Sequence, residues 1–80
     1  MSRFYFHLRD GVDTLLDEDG IEMMPEEAAA RALFEARAII ADEALHGRID
    51  LRQRIDVQDG NGMILHSLAF ADAVEIVPAA

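Results

Sequence analysis

The sequence predicts an α+β fold of ββαββ order, with one long helix packed on one face of a small antiparallel sheet. Three observations carry this reading. Residues near each end alternate apolar and polar around turn signals, and an alanine-rich helical stretch lies between them.

Residues 3–9 open the first hairpin. Phe4, Phe6 and Leu8 point one way and Arg3, Tyr5, His7 and Arg9 the other, the period of a half-buried strand. Asp10-Gly11 marks a turn, and residues 14–16 form a second strand that resumes near Ile21 after an acidic turn, Asp17-Glu18-Asp19-Gly20. Pro25 suits the first helical position, where its missing N–H would have no partner. Glu26 and Glu27 then face the positive end of the helix dipole. Residues 28–46 are mostly strong helix formers, Glu27–Arg31 and Arg31–Glu35 are spaced to pair, and Gly47 suits a left-handed C-cap. Residues 51–58 alternate again, with Leu51, Ile55 and Val57 opposed to Arg52, Arg54 and Asp56. Asp59-Gly60-Asn61-Gly62 is the clearest turn signal, and residues 63–70 make the fourth strand. Residues 71–77 read equally well as a helical turn or an extended tail.

Period-two alternation lets hairpins of even loop length fix which residues share a face. The core face is then Phe4, Phe6, Leu8, Leu15, Ile55, Val57, Ile64, Leu68 and Phe70. The opposite face presents Tyr5, Leu16, Met63 and Leu65 among Arg3, His7, Arg9, Arg52 and Arg54, a composition suited to docking. Tyr5, His7, Arg9, Leu16, Arg52, Arg54 and Leu65 are the candidate binding residues. An odd loop would invert the assignment for its strand pair.

The helix shows two apolar patches. Ala29, Leu33, Ala36, Ile40 and Ala44 form the expected stripe, while Phe34, Ala38, Ala41 and Leu45 lie well round the cylinder. One sheet cannot cover both. The C-terminal tail or a second subunit must take one, and a homodimer with Phe34, Ala38, Ala41 and Leu45 at its interface is the favoured reading.

Eighty residues make one domain, 1–80, whose core is thin because a chain this short buries only about 60–65% of its surface. There is no cysteine, so neither disulfides nor thiolate zinc sites contribute. No run of apolar residues is long enough to span a membrane, and the first residues enter a strand pattern without leader features, which predicts a cytoplasmic chain. The net charge of −9 repels nucleic acid and anionic membranes on average. Residues 10–27 carry only acidic charges, and all seven basic residues are Arg.

No motif carries chemistry. Setting Gly20 at position six of a calcium loop puts Leu15 where an acidic ligand is required, so an EF-hand fails. His7 and His66 fall on opposite faces and His46 ends the helix, which gives no shared metal site. Ser67 and His66 are adjacent on a strand and point apart, so they make no nucleophile–base pair. Gly60-Asn61-Gly62 leads into a strand and cradles no phosphate. The sequence predicts no enzyme and no cofactor.

The motif residues 3–11, Arg-Phe-Tyr-Phe-His-Leu-Arg-Asp-Gly, with Asp17-Glu18-Asp19-Gly20-Ile21-Glu22, the alanine-rich helix and residues 68–76, resembles a family of small bacterial domains of unknown function. The resemblance covers nearly the whole chain and implies the strand–strand–helix–strand–strand order. It implies no activity. The expected role is a small interaction or regulatory module that self-associates, with a protein partner; a nucleic-acid domain using Tyr5, Arg52 and Arg54 is the alternative.

Overall fold

The computed structural model describes residues 1–80, and its element order matches the expected pattern with the second strand divided in two. β1 (Ser2–Arg9) turns back as β2 (Thr14–Leu15) and, after an excursion, β3 (Ile21–Met23). A 3-10 turn (Pro25–Glu27) leads into α1 (Ala28–Leu45). β4 (Arg54–Gln58), β5 (Ile64–Ala69) and a short α2 (Phe70–Ala73) complete the chain. The sheet is antiparallel, ordered β2-β1-β4-β5, with β3 also pairing β1.

The first hairpin keeps the expected parity. Leu8 opposes Leu15 and Phe4 opposes Ile21. Between those pairs β1 spends three residues and its partner five, residues 16–20, an even excess that leaves both faces in phase. Asp17 holds the excursion against β1. Its carboxylate accepts the Phe6 N–H (3.2 Å) and the Gly20 N–H (3.1 Å), replacing ladder bonds that the bulged segment cannot make. Gly20 has φ +68°, and a Cβ there would lie 2.8 Å from the Tyr5 ring and 2.9 Å from the Phe4 carbonyl oxygen. Only glycine fits that crossing.

The second hairpin reaches the expected pairing by an unexpected route. Asp59 N–H bonds the Met63 carbonyl (2.9 Å), enclosing a three-residue loop with Gly62 at φ +86°. That loop is odd. The pairing then skips Leu65, running from Gln58–Ile64 directly to Val57–His66, so the two inversions cancel. Ile55–Leu68 and Val57–His66 share a face as the sequence implies, but Ile64 sits before the skip and lies on the side of Gln58 and Tyr5. It is exposed, and so is Leu15; neither joins the core.

The core is one cluster: Phe4, Met23, Ala28, Ala32, Ala36, Ile40, Ile55, Val57, Phe70 and Ala73. The helix stripe therefore runs through Ala28, Ala32, Ala36 and Ile40, with Leu33 and Ile39 partly buried, while Ala29 and Ala44 are exposed. Alanine on every face left the sequence little contrast from which to fix the helix's rotation. Phe70 is fully buried as the first residue of α2 and not as strand, and its N–H bonds the Gln53 carbonyl (2.9 Å). Beyond α2 the chain forms no regular secondary structure, and Val74 leaves the helix in an extended conformation.

Both helix ends follow their residues. Pro25 starts the first turn with Glu26 and Glu27 beside it. Gly47 N–H bonds the Ala44 carbonyl and Arg48 N–H the Glu43 carbonyl, a Schellman closure with Gly47 at φ +89°. Glu43 also ties the helix to the loop that follows. Its carboxylate accepts the Asp50 N–H (3.0 Å) and the Gln53 side-chain amide (2.7 Å), keeping Gln53 satisfied in a buried position.

Candidate binding surfaces

The sheet face away from α1 is built by cross-strand register. Tyr5 opposes Gln58, His7 opposes Asp56 and Arg9 opposes Arg54, while Ser67 opposes Asp56 from the other side. Two guanidiniums set directly opposite one another repel unless an anion lies between them. Asp56 is that anion. It is 5% exposed and accepts from Arg9 Nε, Arg54 Nε (3.2 Å) and Ser67 Oγ. Burial pushes its carboxyl up, yet the hydrogen bonds from Ser67 and Arg9 and the charge of Arg54 outweigh this and hold it below the usual carboxylate range. Arg9 also donates to Thr14 Oγ1 (3.1 Å).

His7 is buried beside this cluster, stacked on Tyr5 with ring centroids 6.4 Å apart. Its Nδ1 accepts the Asp17 N–H (3.1 Å), which fixes the imidazole against the excursion. Tyr5, His7, Arg9 and Arg54 are thus brought together as expected, around an ionic centre instead of an aliphatic one.

The other three candidates lie elsewhere. Leu16 lines a shallow groove with Phe6, Leu8, Leu15 and Ile39, on the helix side of the sheet, because the excursion begins at that residue. Arg52 is not in a strand. β4 starts at Arg54, and residues 51–52 form a turn in which Asp50 accepts the Arg52 N–H (3.0 Å) and both sides of its guanidinium (2.9 and 3.0 Å). The Arg52 hydrogen bonds lower the Asp50 carboxyl to about 2. Leu65 is the residue skipped in the ladder and borders a notch with Phe4, Pro25 and Gly60.

Every arginine has a partner. Arg3 meets Glu22 (3.6 Å) and the Asp19 carbonyl, Arg31 meets Glu35 (2.8 Å), Arg37 donates to the Ala73 carbonyl (2.8 Å) and Arg48 meets Asp50 (4.0 Å). On the sheet face itself, Arg9 and Arg54 are paired internally through Asp56 and form no open cationic rim.

Among the exposed apolar side chains, two groups lie on regular elements of the fold. Phe34, Ala38, Ala41 and Leu45 form the outer ridge of α1, with Phe34 62% and Leu45 82% exposed. The Arg31 guanidinium lies over the Phe34 ring, 5.5 Å from its centroid. The second group is on the edge strand β5, flanked by Met63, where Ile64, Leu65 and His66 are all exposed. His66 faces the helix side opposite Val57 but stays uncovered.

Sequence reasoning missed three organising groups: Asp56, Asp17 and Glu43. Each is a carboxylate with at least one partner 7 to 47 residues away, a relation that no local pattern marks. Arg54 two positions from Asp56 on the same strand face was the available signal for the first.

No group of three or more His, Asp or Glu side chains is arranged to hold a metal ion, and no helix is long and apolar enough to cross a membrane. No curated protein and no solved structure matches the chain. A family model does, across most of its length: with a β-hairpin, one main helix and a second hairpin in place over residues 3–71, the chain belongs to the family described as Domain of unknown function (DUF6894).

Proposed function

We propose that this chain is a small protein-interaction module that works as a homodimer and acts by binding, not by catalysis. One observation carries the reading. Only six core side chains are larger than alanine, namely Phe4, Met23, Ile40, Ile55, Val57 and Phe70, whereas thirteen large hydrophobic side chains are exposed. Fully burying one such side chain contributes about 1.5–3 kcal/mol, so a thin-cored chain gains much by covering several of them with a partner.

The ionic face supports a division of labour. Asp56, Arg9, Arg54 and Ser67 satisfy one another, which leaves recognition to the apolar ridge of α1 and to β5. The charge of −9 and the pairing of all seven arginines count against a nucleic-acid partner. Ser67, the hydroxyl nearest a buried carboxylate, donates to Asp56 and serves structure.

Light scattering on the purified chain tests the reading. A mass twice the 8.9 kDa of one chain at high micromolar concentration is expected; a single-chain mass throughout overturns it.

A further inference from the structure

The two edges of the sheet are built differently. The β2/β3 edge is broken by the excursion and carries Asp13, Asp17, Glu18, Asp19 and Glu22 along residues 13–22. Charge and interruption are the usual devices that keep an edge from pairing with another chain. The β5 edge has neither charge nor proline. Residues 60–71 form the longest uncharged run in a chain where 29% of residues are charged, and β5 falls wholly within it. β5 pairs β4 on one side and nothing on the other, so a row of backbone N–H and C=O groups faces outward. The skip at Leu65 bends only its start; the register is regular from His66 to Ala69.

We propose that β5 is the dimer edge, pairing antiparallel with β5 of a second copy to form one continuous sheet. This rests on the self-association reading above and names its surface. Charge permits a second copy at this edge and opposes one at the β2/β3 edge. Two chains of −9 repel, and the repulsion is least when their uncharged strips meet. In the order β2-β1-β4-β5 the acidic edge is then three strand spacings away, roughly 14 Å, beyond the screening length of about 8 Å at physiological salt.

A two-fold axis normal to the sheet keeps each face on its own side. The helices of both copies then lie on the same side of a sheet eight strands across. Side chains on the same face meet across the axis, bringing His66 and Leu68 of each copy together on the helix side and leaving Ser67 on Asp56. The ridge of Phe34 and Leu45 points away from the sheet and is not needed for this contact.

The test compares three proteins by light scattering across a dilution series, with circular dichroism to verify folding. His66→Glu sets a carboxylate on an exposed edge position, and Phe34→Glu does the same on the helix ridge. The proposal expects a wild-type dimer, a folded monomer for H66E with its mass halved, and a dimer for F34E. Backbone hydrogen exchange over residues 64–69 should also slow as wild-type concentration rises. A wild-type dimer that H66E leaves intact overturns the β5 edge while sparing self-association, and dissociation by F34E alone assigns the interface to the helix ridge. A wild-type monomer overturns both readings.

Discussion

The central strands and the edge strand of this sheet handle polarity in opposite ways. β1 and β4 meet in the middle and bring four charged or titratable side chains, His7, Arg9, Arg54 and Asp56, onto one face. These are locked to one another, to Ser67 and to the Asp17 excursion. β5 carries no charge and leaves its outer backbone unpaired. Polar side chains in the centre therefore specify register inside the molecule, and the edge keeps its capacity for bonds outside it. Arg9 and Arg54 can oppose one another only with Asp56 between them, so the ionic cluster ties the β1–β4 pairing to one alignment.

The contrast breaks most readily at Asp56. Asp56→Ala leaves two opposed, partly exposed guanidiniums without their anion and should destabilise the fold by about 2 kcal/mol in denaturant unfolding, the worth of hydrogen bonds to a charged group. An effect under about 1 kcal/mol, the range of a solvated surface pair, would mean the centre is no more locked than the edge. Gly20→Ala comes next. Its Cβ meets Tyr5, Arg3 and the Phe4 carbonyl at 2.8–2.9 Å, and its φ is +68°, so a loss of about 2 kcal/mol is expected. At the edge, Leu65→Gln should change the stability of the dilute protein by no more than about 0.5 kcal/mol, because its side chain is already half in water.

Acid sharpens the same comparison. The Asp56 carboxyl is held below its ordinary 3.8 and Asp50 is lowered to about 2. A depressed folded-state value means stability that is fully present above about pH 4 and is lost as pH falls through the folded value. Unfolding measured between pH 5 and pH 2 should show stability declining below about pH 4. Asp56→Asn should flatten part of that decline.

Much of this contrast was legible in the sequence. Alternation in residues 3–9 and around Ile55 gave the strands, Pro25 and Gly47 bounded the helix, and the Asp-Gly turns gave the hairpins. Parity placed Leu68 with Ile55 correctly although the loop proved odd, because the skip at Leu65 restored the phase. Local rules do not reveal such a bulge, and so Ile64 was assigned to the wrong face. The helix stripe was rotated from Ala28 to Ala29 for want of contrast among alanines. The candidate site was less legible than the fold. Tyr5, His7, Arg9 and Arg54 do share a face, but their relation to Asp56 depends on β1 pairing β4 across 47 residues of chain. Leu16 lies one residue past β2 and Arg52 two residues short of β4, and so small a difference in a boundary takes a side chain off the face altogether.

The most direct test of the contrast is the molar mass of the wild-type chain beside that of His66→Glu, measured at the same high micromolar concentration. The account predicts twice 8.9 kDa for the first and 8.9 kDa for the second, with the circular dichroism of the two superimposable. Equal masses would contradict it.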